Sequence, residues 1–256
     1  MTNQKSSTDQ FWNQRAITEA DPTKVNIADD VQRQLETAFI MQHLPAGARV
    51  LEVGAGNGHL TNILRRQAGF VDAFDYAENM VEQAKRLQGE TNNRFFHDSV
   101  LAPARVQPPY DAVVCVRVLI NLRNLAEQQR AFDHMTKLVT RGGRLILVEG
   151  FRDGFDRLNQ VREAAGIARL NPAAINFYSP LGPWLEQFTQ SFDIAARFNS
   201  GTFDFLTRVV YPALVGAEQA SGPSDFHQRI EKLAQTFDPE PLQGLARLHG
   251  FVLIRR

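Results

Sequence analysis

Apolar positions in the first two thirds of the chain fall into short continuous runs separated by segments with a helical repeat. The runs predict five strands, at residues 48–53, 70–74, 94–97, 110–116 and 144–148. Between them, apolar residues recur every three or four positions, as at Met80, Val81, Ala84 and Leu87, or at Phe132, Met135 and Val139. Strands that alternate with helices predict an α/β fold with a doubly wound, mainly parallel sheet covered by helices on both faces.

The segments outside this rhythm predict a cap over the sheet. We expect residues 1 to about 10, which are polar, to be frayed, and a helix with Val31, Leu35, Ala38 and Phe39 on one face to begin near the possible caps Asp29 and Asp30. Residues 150–178 hold several glycines and arginines and only a weak helical pattern, which indicates an insertion.

The last third predicts two more strands. Ser179 and Pro180 suit a helix start, and Trp184, Leu185 and Phe188 follow on one face before a strand at 192–198. A second insertion, 200–245, contains one clear helix, and residues 251–254 form the final strand. The predicted division is N-terminal cap helices (1–45), core (46–150), cap insertion (151–178), core (179–199), cap or lid insertion (200–245) and the final core strand (246–256).

Composition narrows the classes of function. Of the 256 residues, 43% are hydrophobic and 22% are charged, as in an ordinary soluble globular protein. Lysine and arginine balance aspartate and glutamate at 28 each, so nucleic acid is a poor default partner. The single cysteine, Cys115, lies in an apolar run and suits a reducing compartment. The N-terminus lacks a signal-peptide pattern and no run approaches the roughly 18 apolar residues of a membrane span, so we expect a cytoplasmic protein without a membrane partner.

A glycine cluster joins the first predicted strand to the next helix. Gly54, Gly56 and Gly58 allow a tight turn against which a nucleotide-like ligand can press, although a purely structural turn is also compatible with them. Asp75 ends the second strand, 21 positions after Gly54, where a carboxylate can accept hydrogen bonds from both ribose hydroxyls. Asp75 equally suits a cap for the helix near Ala77.

These motifs resemble those of class I methyltransferases that use S-adenosylmethionine (SAM). The pattern of an acidic residue, any residue and Gly-x-Gly-x-Gly is met by Glu52, Gly54, Gly56 and Gly58. A dinucleotide dehydrogenase would place a glycine or alanine where this chain has His59. Further similar segments follow in order at residues 75–80, 97–99, 110–119 and 140–147, so the resemblance covers about residues 48–150. Residues 11–16 and the stretch after 150 more loosely resemble methyltransferases of bacterial surface-polysaccharide pathways.

The resemblance implies a Rossmann-like sheet of seven strands whose last strand runs antiparallel beside the fifth. It implies SAM as the cofactor, S-adenosyl-L-homocysteine (SAH) as its product, and an acidic side chain at Asp98 that meets the adenine amino group. The cofactor-binding residues that we expect are Glu52, Gly54, Ala55, Gly56, Gly58, Asp75, Tyr76, Met80, Asp98, Ser99 and Val116.

Three residues are candidates for the catalytic role. Arg117 and Glu149 end the fourth and fifth strands at the crevice where open α/β sheets bind ligands, and His227 opens the helix of the late insertion. Each also suits a structural or solvent-exposed role, and many relatives have a small or polar residue where this chain has Arg117. No metal site is predicted.

The methyl acceptor is predicted to be a small, polar molecule, anionic or a saccharide. Arg152 and Arg162, together with Arg117, would bind an anionic group through bidentate hydrogen bonds, and Tyr178 and Tyr211 would line the pocket. We expect a monomer or a homodimer. Two alternatives stay open at this point: a noncatalytic SAM-binding partner or regulator, and a nicotinamide-dependent oxidoreductase.

Overall fold

Seven strands form one mixed sheet at the centre of the protein. The structure is a computed structural model that describes residues 3–25, 29–89, 91–220, 224–236 and 240–256. The strands are β1 (Arg49–Val53), β2 (Phe70–Asp75), β3 (Asn93–His97), β4 (Tyr110–Val116), β5 (Val139–Gly150), β6 (Phe192–Asn199) and β7 (Leu248–Arg255). Their order is β3-β2-β1-β4-β5-β7-β6, with β1 to β5 parallel and β7 antiparallel to both β5 and β6. The predicted doubly wound sheet and antiparallel last strand are confirmed.

Helices cover both faces of the sheet and build the cap. They are α1 (Asn3–Thr18), α2 (Asp30–His43), α3 (His59–Leu64), α4 (Glu78–Gln88), α5 (Leu125–Leu138), α6 (Arg152–Ala164), α7 (Gly182–Ser191), α8 (Gly201–Phe205), α9 (Tyr211–Val215) and α10 (Asp225–Thr236). A π-helical turn, Leu206–Val210, joins α8 to α9. None of the helices in the described part of the chain is long and apolar enough to cross a membrane.

The central strands are apolar on both faces because helices cover both sides. In β4, Val113 and Cys115 join one hydrophobic cluster with Phe132 of α5, while Ala112 and Val114 join the cluster on the opposite face. Alternate residues of a strand point to opposite faces, so a strand between two helical layers has no polar side to show.

The crevice of the fold opens between β1 and β4. From β1 the chain proceeds to β2 and β3 on one side, and it then crosses to β4 and β5 on the other side of β1. The loops that leave the carboxyl ends of β1 and β4 therefore diverge, which leaves the space where open α/β sheets bind ligands.

Several expected boundaries were wrong. Residues 3–10 form the first half of α1 rather than a frayed end, Val139 begins β5 instead of ending α5, and the Ala38 side chain is exposed. Helix α7 begins at Gly182, and Pro183 rather than Pro180 occupies its first turn.

Helix α6 is a regular helix in a segment for which the sequence indicated only a weak helical pattern. Its buried face includes Gly154, Asn159 and Arg162 beside Phe155 and Leu158. Because three of these five residues are not large and apolar, the helical repeat of apolar residues is weak in this segment. A Cβ at Gly154 would lie 1.7 Å from the carbonyl oxygen of Ala246, so the close packing of the helix requires glycine there.

Candidate functional site

A cavity of about 190 Å³ lies at the carboxyl ends of β1, β2 and β4; we call it the main cavity. A smaller one of about 70 Å³, the side cavity, adjoins it and shares Gly54, Tyr76, Val118 and Asn121 with it. Eight predicted cofactor residues line the main cavity and two more line the side cavity. The main cavity has Glu52, Gly54, Ala55, Gly56, Asp75, Tyr76, Met80 and Val116, and the side cavity has Asp98 and Ser99 together with Gly54 and Tyr76.

The glycine loop forms the floor between the two cavities. Gly54, Gly56 and Gly58 have φ of 71°, 54° and 79°, values that disfavour L side chains. A Cβ at Gly54 would lie 2.2 Å from Cγ2 of Val118, so this position is also closed to larger residues by packing. Gly58 is the residue before α3 and does not line either cavity.

Asp75 connects the second strand to the glycine loop. Its buried carboxylate accepts hydrogen bonds from the backbone N–H groups of Gly56 at 2.8 Å and Ala77 at 2.9 Å. Burial raises the pKa of Asp75, and these hydrogen bonds act in the opposite direction. Each oxygen keeps capacity for another donor. Asp75 thus fixes both loops while lining the main cavity, and its ribose contact stays a prediction.

Glu52 lies in β1, beneath the glycine loop. It is buried, and its carboxylate accepts a hydrogen bond from the Thr61 hydroxyl at 2.5 Å. Burial raises the pKa of Glu52 to about 8, with the nearby Asp75 acting in the same direction. A neighbouring cation would stabilise its ionised form.

The side cavity has mainly apolar walls formed by Phe74, Val100, Leu101 and Leu122. Asp98 lines it, but its carboxylate accepts hydrogen bonds from the backbone N–H groups of Ser99, Ala104 and Arg105 at 2.7 to 3.1 Å. Asp98 therefore holds the loop after β3 in place. Its contact with an adenine amino group stays a prediction.

Arg117 follows β4 in an unusual backbone conformation. With φ of 54°, it is the single non-glycine residue of the described chain with positive φ, and its N–H donates to the Val148 carbonyl at 2.8 Å. Its Nε lies 3.4 Å from Oε2 of Glu36, a residue of α2 that is 2% exposed. Strained backbone of this kind is found preferentially at functional sites. Arg117 lines the main cavity, and its acceptor-facing role stays a prediction.

Five further residues of the main cavity were not predicted from the sequence. Glu36 and Arg33 come from α2, Trp12 from α1, Asn121 from the turn after β4, and Asn176 from the loop before α7. The Trp12 indole N–H donates to the Asn121 side chain at 3.3 Å, and Asn121 in turn donates to the Arg117 carbonyl at 2.8 Å. The sequence did contain one indication of this contribution. Gln32 and Glu36 are a polar pair four residues apart on the apolar face of α2.

Glu149 does not reach either cavity, contrary to the expectation for a catalytic group. One carboxylate oxygen accepts hydrogen bonds from the N–H groups of Val118 and Leu119, both at 2.7 Å, and the other from Ile120 at 3.4 Å. Burial raises the pKa of Glu149 to about 7. Its side chain lies beneath the loop after β4 and accepts hydrogen bonds from three N–H groups for which no backbone acceptor is seen among the described residues. Glu149 is therefore a positioning residue for the cavity wall.

His227 and Tyr211 also lie away from the main cavity. The buried His227 contacts the Ser224 hydroxyl at 3.1 Å, and burial lowers its pKa. Tyr211 stacks on Phe226, with ring centroids 4.4 Å apart. Both belong to the packing of α10 against the π-helical turn, so the expected catalytic and acceptor roles have no support from their placement. Helical periodicity in this insertion predicts one apolar face with Phe226, Ile230, Leu233, Ala234 and Phe237, and of these Phe237 lies outside the described residues.

The three arginines expected to surround one anion are separated. Arg117 lines the main cavity, and Arg152 is exposed at the start of α6. Arg162 and Tyr178 line a different cavity of about 520 Å³, which we call the cap cavity. Arg152 and Arg162 are ten residues apart in α6, which places them about 15 Å apart along the helix axis. The two guanidinium groups therefore do not surround one anion.

The core of the chain is similar in sequence to known proteins. Residues 51–145 match a family described as "Methyltransferase domain". Over 105 residues the chain is 30% identical to a demethylmenaquinone methyltransferase of Clavibacter sepedonicus, covering 41% of this chain and 42% of that protein. It is 32% identical over 120 residues to a ubiquinone biosynthesis O-methyltransferase of Xylella fastidiosa, covering 43% and 45%. The aligned part spans less than half the length of these relatives.

Solved structures share the fold over more of the chain. The N-methyltransferase NodS of Bradyrhizobium japonicum, in complex with SAH, superposes with a TM-score of 0.57 at 18% identity, covering 75% of this chain and 89% of that one. The magnesium protoporphyrin IX methyltransferase of Synechocystis, with bound SAH, gives 0.54 at 17%, covering 89% and 82%. The expected Rossmann-like methyltransferase fold is confirmed.

Proposed function

We propose that this chain, whose residues 51–145 match the family described as "Methyltransferase domain", is a SAM-dependent methyltransferase acting on a small molecule. The observation that carries the proposal is the glycine loop closing on Asp75 at the point where the strand order reverses. Asp75 lines the main cavity at that corner, and each of its carboxylate oxygens can accept a further hydrogen bond, as the two hydroxyls of a ribose require.

The cavity walls fit the other parts of SAM. The apolar side cavity suits a flat purine ring, with Asp98 and Ser99 at its edge. Three carboxyl groups line the main cavity, and one of them, that of Glu36, is paired with Arg117. The other two, those of Glu52 and Asp75, complement a ligand that carries a sulfonium and an ammonium group. Tyr76 lines both cavities, and its buried hydroxyl has no hydrogen-bond partner among the described residues.

Bound SAM supplies a methyl group on a positively charged sulfur, which becomes a neutral thioether when an acceptor displaces it. The protein has to hold the acceptor atom about 3 to 3.5 Å from the methyl carbon, opposite the sulfur, and to exclude water. Trp12 of α1 and Ile40 of α2 roof the main cavity. Arg117, held by its ion pair with Glu36, orients an acceptor at the end of β4.

The acceptor is a small molecule under this proposal. The names of the relatives, which act in menaquinone and ubiquinone biosynthesis, favour an aromatic, quinone-like ring. A polar, anionic or saccharide acceptor is supported by the guanidinium of Arg117 in the main cavity, and it stays a second prediction.

A transfer assay with methyl-labelled SAM tests the proposal. The purified chain is incubated with hydroxylated aromatic and quinol-type acceptors in one set and with sugars and sugar phosphates in the other. Labelled product in either set, lost in Asp75→Ala, is the expected result. SAM binding without product from any acceptor would favour a noncatalytic SAM-binding protein, and binding of NAD in place of SAM would favour an oxidoreductase.

A further inference from the structure

The cap cavity lies apart from the proposed donor site. It is bounded by α6, by the segment of residues 170–178 and by the helical run from Thr207 to Pro212. The segment 173–178 separates it from the main cavity: Asn176 lines the main cavity, whereas Ala173 and Tyr178 line the cap cavity. No residue is common to the linings of the two cavities.

The lining of the cap cavity is strongly unbalanced in charge. Arg162, Arg208 and Arg247 line it, and no acidic side chain does so among the described residues. Two of the three arginines have acidic partners outside the lining: Arg208 pairs with Asp29, and Arg247 pairs with Asp204 at 2.7 Å. Three guanidinium groups thus face two carboxylates, which leaves one positive charge.

Arg162 carries the uncompensated charge. It is 6% exposed; its Nε donates to the Ala168 carbonyl at 2.8 Å and its Nη1 donates to the Arg208 carbonyl. No carboxylate of the described residues forms an ion pair with it. Burial lowers the pKa of Arg162, and the charges of Arg208 and Arg247 act in the same direction. A buried cation without a counter-charge is costly, and an anion in the cavity would offset that cost.

Most of the remaining lining of the cap cavity is apolar or aromatic. The rings of Phe155 and Tyr178 stack with centroids 5.1 Å apart and an interplanar angle of 13°. Leu170 and Pro172 also line the cavity. A ligand that fills the space therefore needs an apolar body as well as a negative charge, because the arginines line only part of the cavity.

We propose that the cap cavity binds a molecule with a carboxylate or phosphate group on an aromatic or apolar body, with Arg162 as its principal anion ligand. Guanidinium groups bind both kinds of anion through paired N–H donors. The site is separate from the main cavity, so this proposal does not depend on the proposed methyl transfer.

Calorimetric titration with three small probes tests this site. Benzoate and phenyl phosphate represent the two anions on an aromatic body, and benzamide is the neutral analogue of benzoate. We expect at least one anion to bind, at least about tenfold more tightly than benzamide, because a charge-assisted hydrogen bond is lost in the amide. The better of the two anions identifies the ligand class.

Matched variants locate the binding. Arg162→Gln should lower the affinity for the anion at least about tenfold. Arg157→Gln, at an exposed position of the same helix, should leave this affinity unchanged. The affinity for SAH should be the same in both variants, which also shows that they are folded. Ala173→Trp fills the cavity while keeping the three arginines, and it should abolish anion binding even if Arg162→Gln does not fold.

Three outcomes would overturn the proposal: neither anion binds at millimolar concentration, benzamide binds as tightly as the better of the two anions, or Ala173→Trp leaves the affinity for that anion unchanged. Each can occur while SAM still binds and methyl transfer still proceeds, so failure here is distinguishable from failure of the proposed function.

Discussion

Replacing Gly54 with alanine tests how the glycine loop shapes the main and side cavities. Two independent penalties apply at this position: φ is 71°, and the new Cβ would lie 2.2 Å from Cγ2 of Val118. Val118 lines both cavities, so any displacement of its side chain changes the space where they meet.

The two penalties can be estimated separately. An L residue in the left-handed region costs about 1 to 2 kcal/mol, and overpacking of a filled site costs about 1 to 3 kcal/mol. Gly54→Ala should therefore lower the free energy of unfolding by about 2 to 5 kcal/mol. Gly47→Ala is the matched control, because Gly47 also has φ of 71° but has no atom within 4 Å of the added Cβ. It should show only the backbone penalty.

Urea denaturation of four variants measures these contributions. Val118→Ala removes the Cγ atoms and leaves Cβ 3.4 Å from the new methyl group, which is an ordinary contact. The double variant Gly54→Ala/Val118→Ala should be more stable than the sum of the single effects predicts, by about 1 to 3 kcal/mol. Equal losses in Gly54→Ala and Gly47→Ala, or additive effects in the double variant, would refute the steric reasoning.

Three further predictions concern charge and polar contacts. Arg117→Lys should reduce turnover far more than SAM affinity, because it keeps the charge but loses the planar fork beside Glu36; equal losses of both would count against an acceptor role. Burial raises the pKa of Glu149 to about 7 and of Glu52 to about 8, above the 4.5 of the unfolded chain. The folded state then binds more protons, so the free energy of unfolding should fall as pH rises from about 5 to about 8, and less steeply in Glu52→Gln; a flat profile would contradict this. Tyr110→Phe should cost about 1 to 3 kcal/mol of stability by removing the buried hydrogen bond to Asp72 without weakening SAM binding, as denaturation and titration can show.

The sheet was predictable from sequence because its central strands are covered on both faces. Such strands are continuous apolar runs, and β4 was predicted with the bounds Tyr110 to Val116 that the structure has. The glycine loop and Asp75 were predictable for a related reason. Both lie within a few residues of a strand end, so the sheet itself fixes their position at the crevice.

The cap was less predictable because its buried faces include polar and charged side chains. Arg162 and Asn159 are buried on α6, and Glu36 is buried on α2, through contacts with residues that are distant in the chain. Apolar periodicity contains no information on such contacts. Glu149 shows a second limit: the sequence placed it correctly at the end of β5, but the direction of its side chain depends on the N–H groups of the loop after β4.

Calorimetric titration of the purified chain with SAM, SAH and NAD tests directly whether the main cavity binds the methyl donor. We expect SAM and SAH to bind and NAD not to bind. Asp75→Ala should weaken SAM binding by about 1.5 to 3 kcal/mol through loss of charge-assisted hydrogen bonds. The control variant Asp193→Ala, at an exposed position of β6, should bind SAM with unchanged affinity. Absence of SAM binding at millimolar ligand, or unchanged affinity in Asp75→Ala, would contradict the assignment of this cavity to the methyl donor.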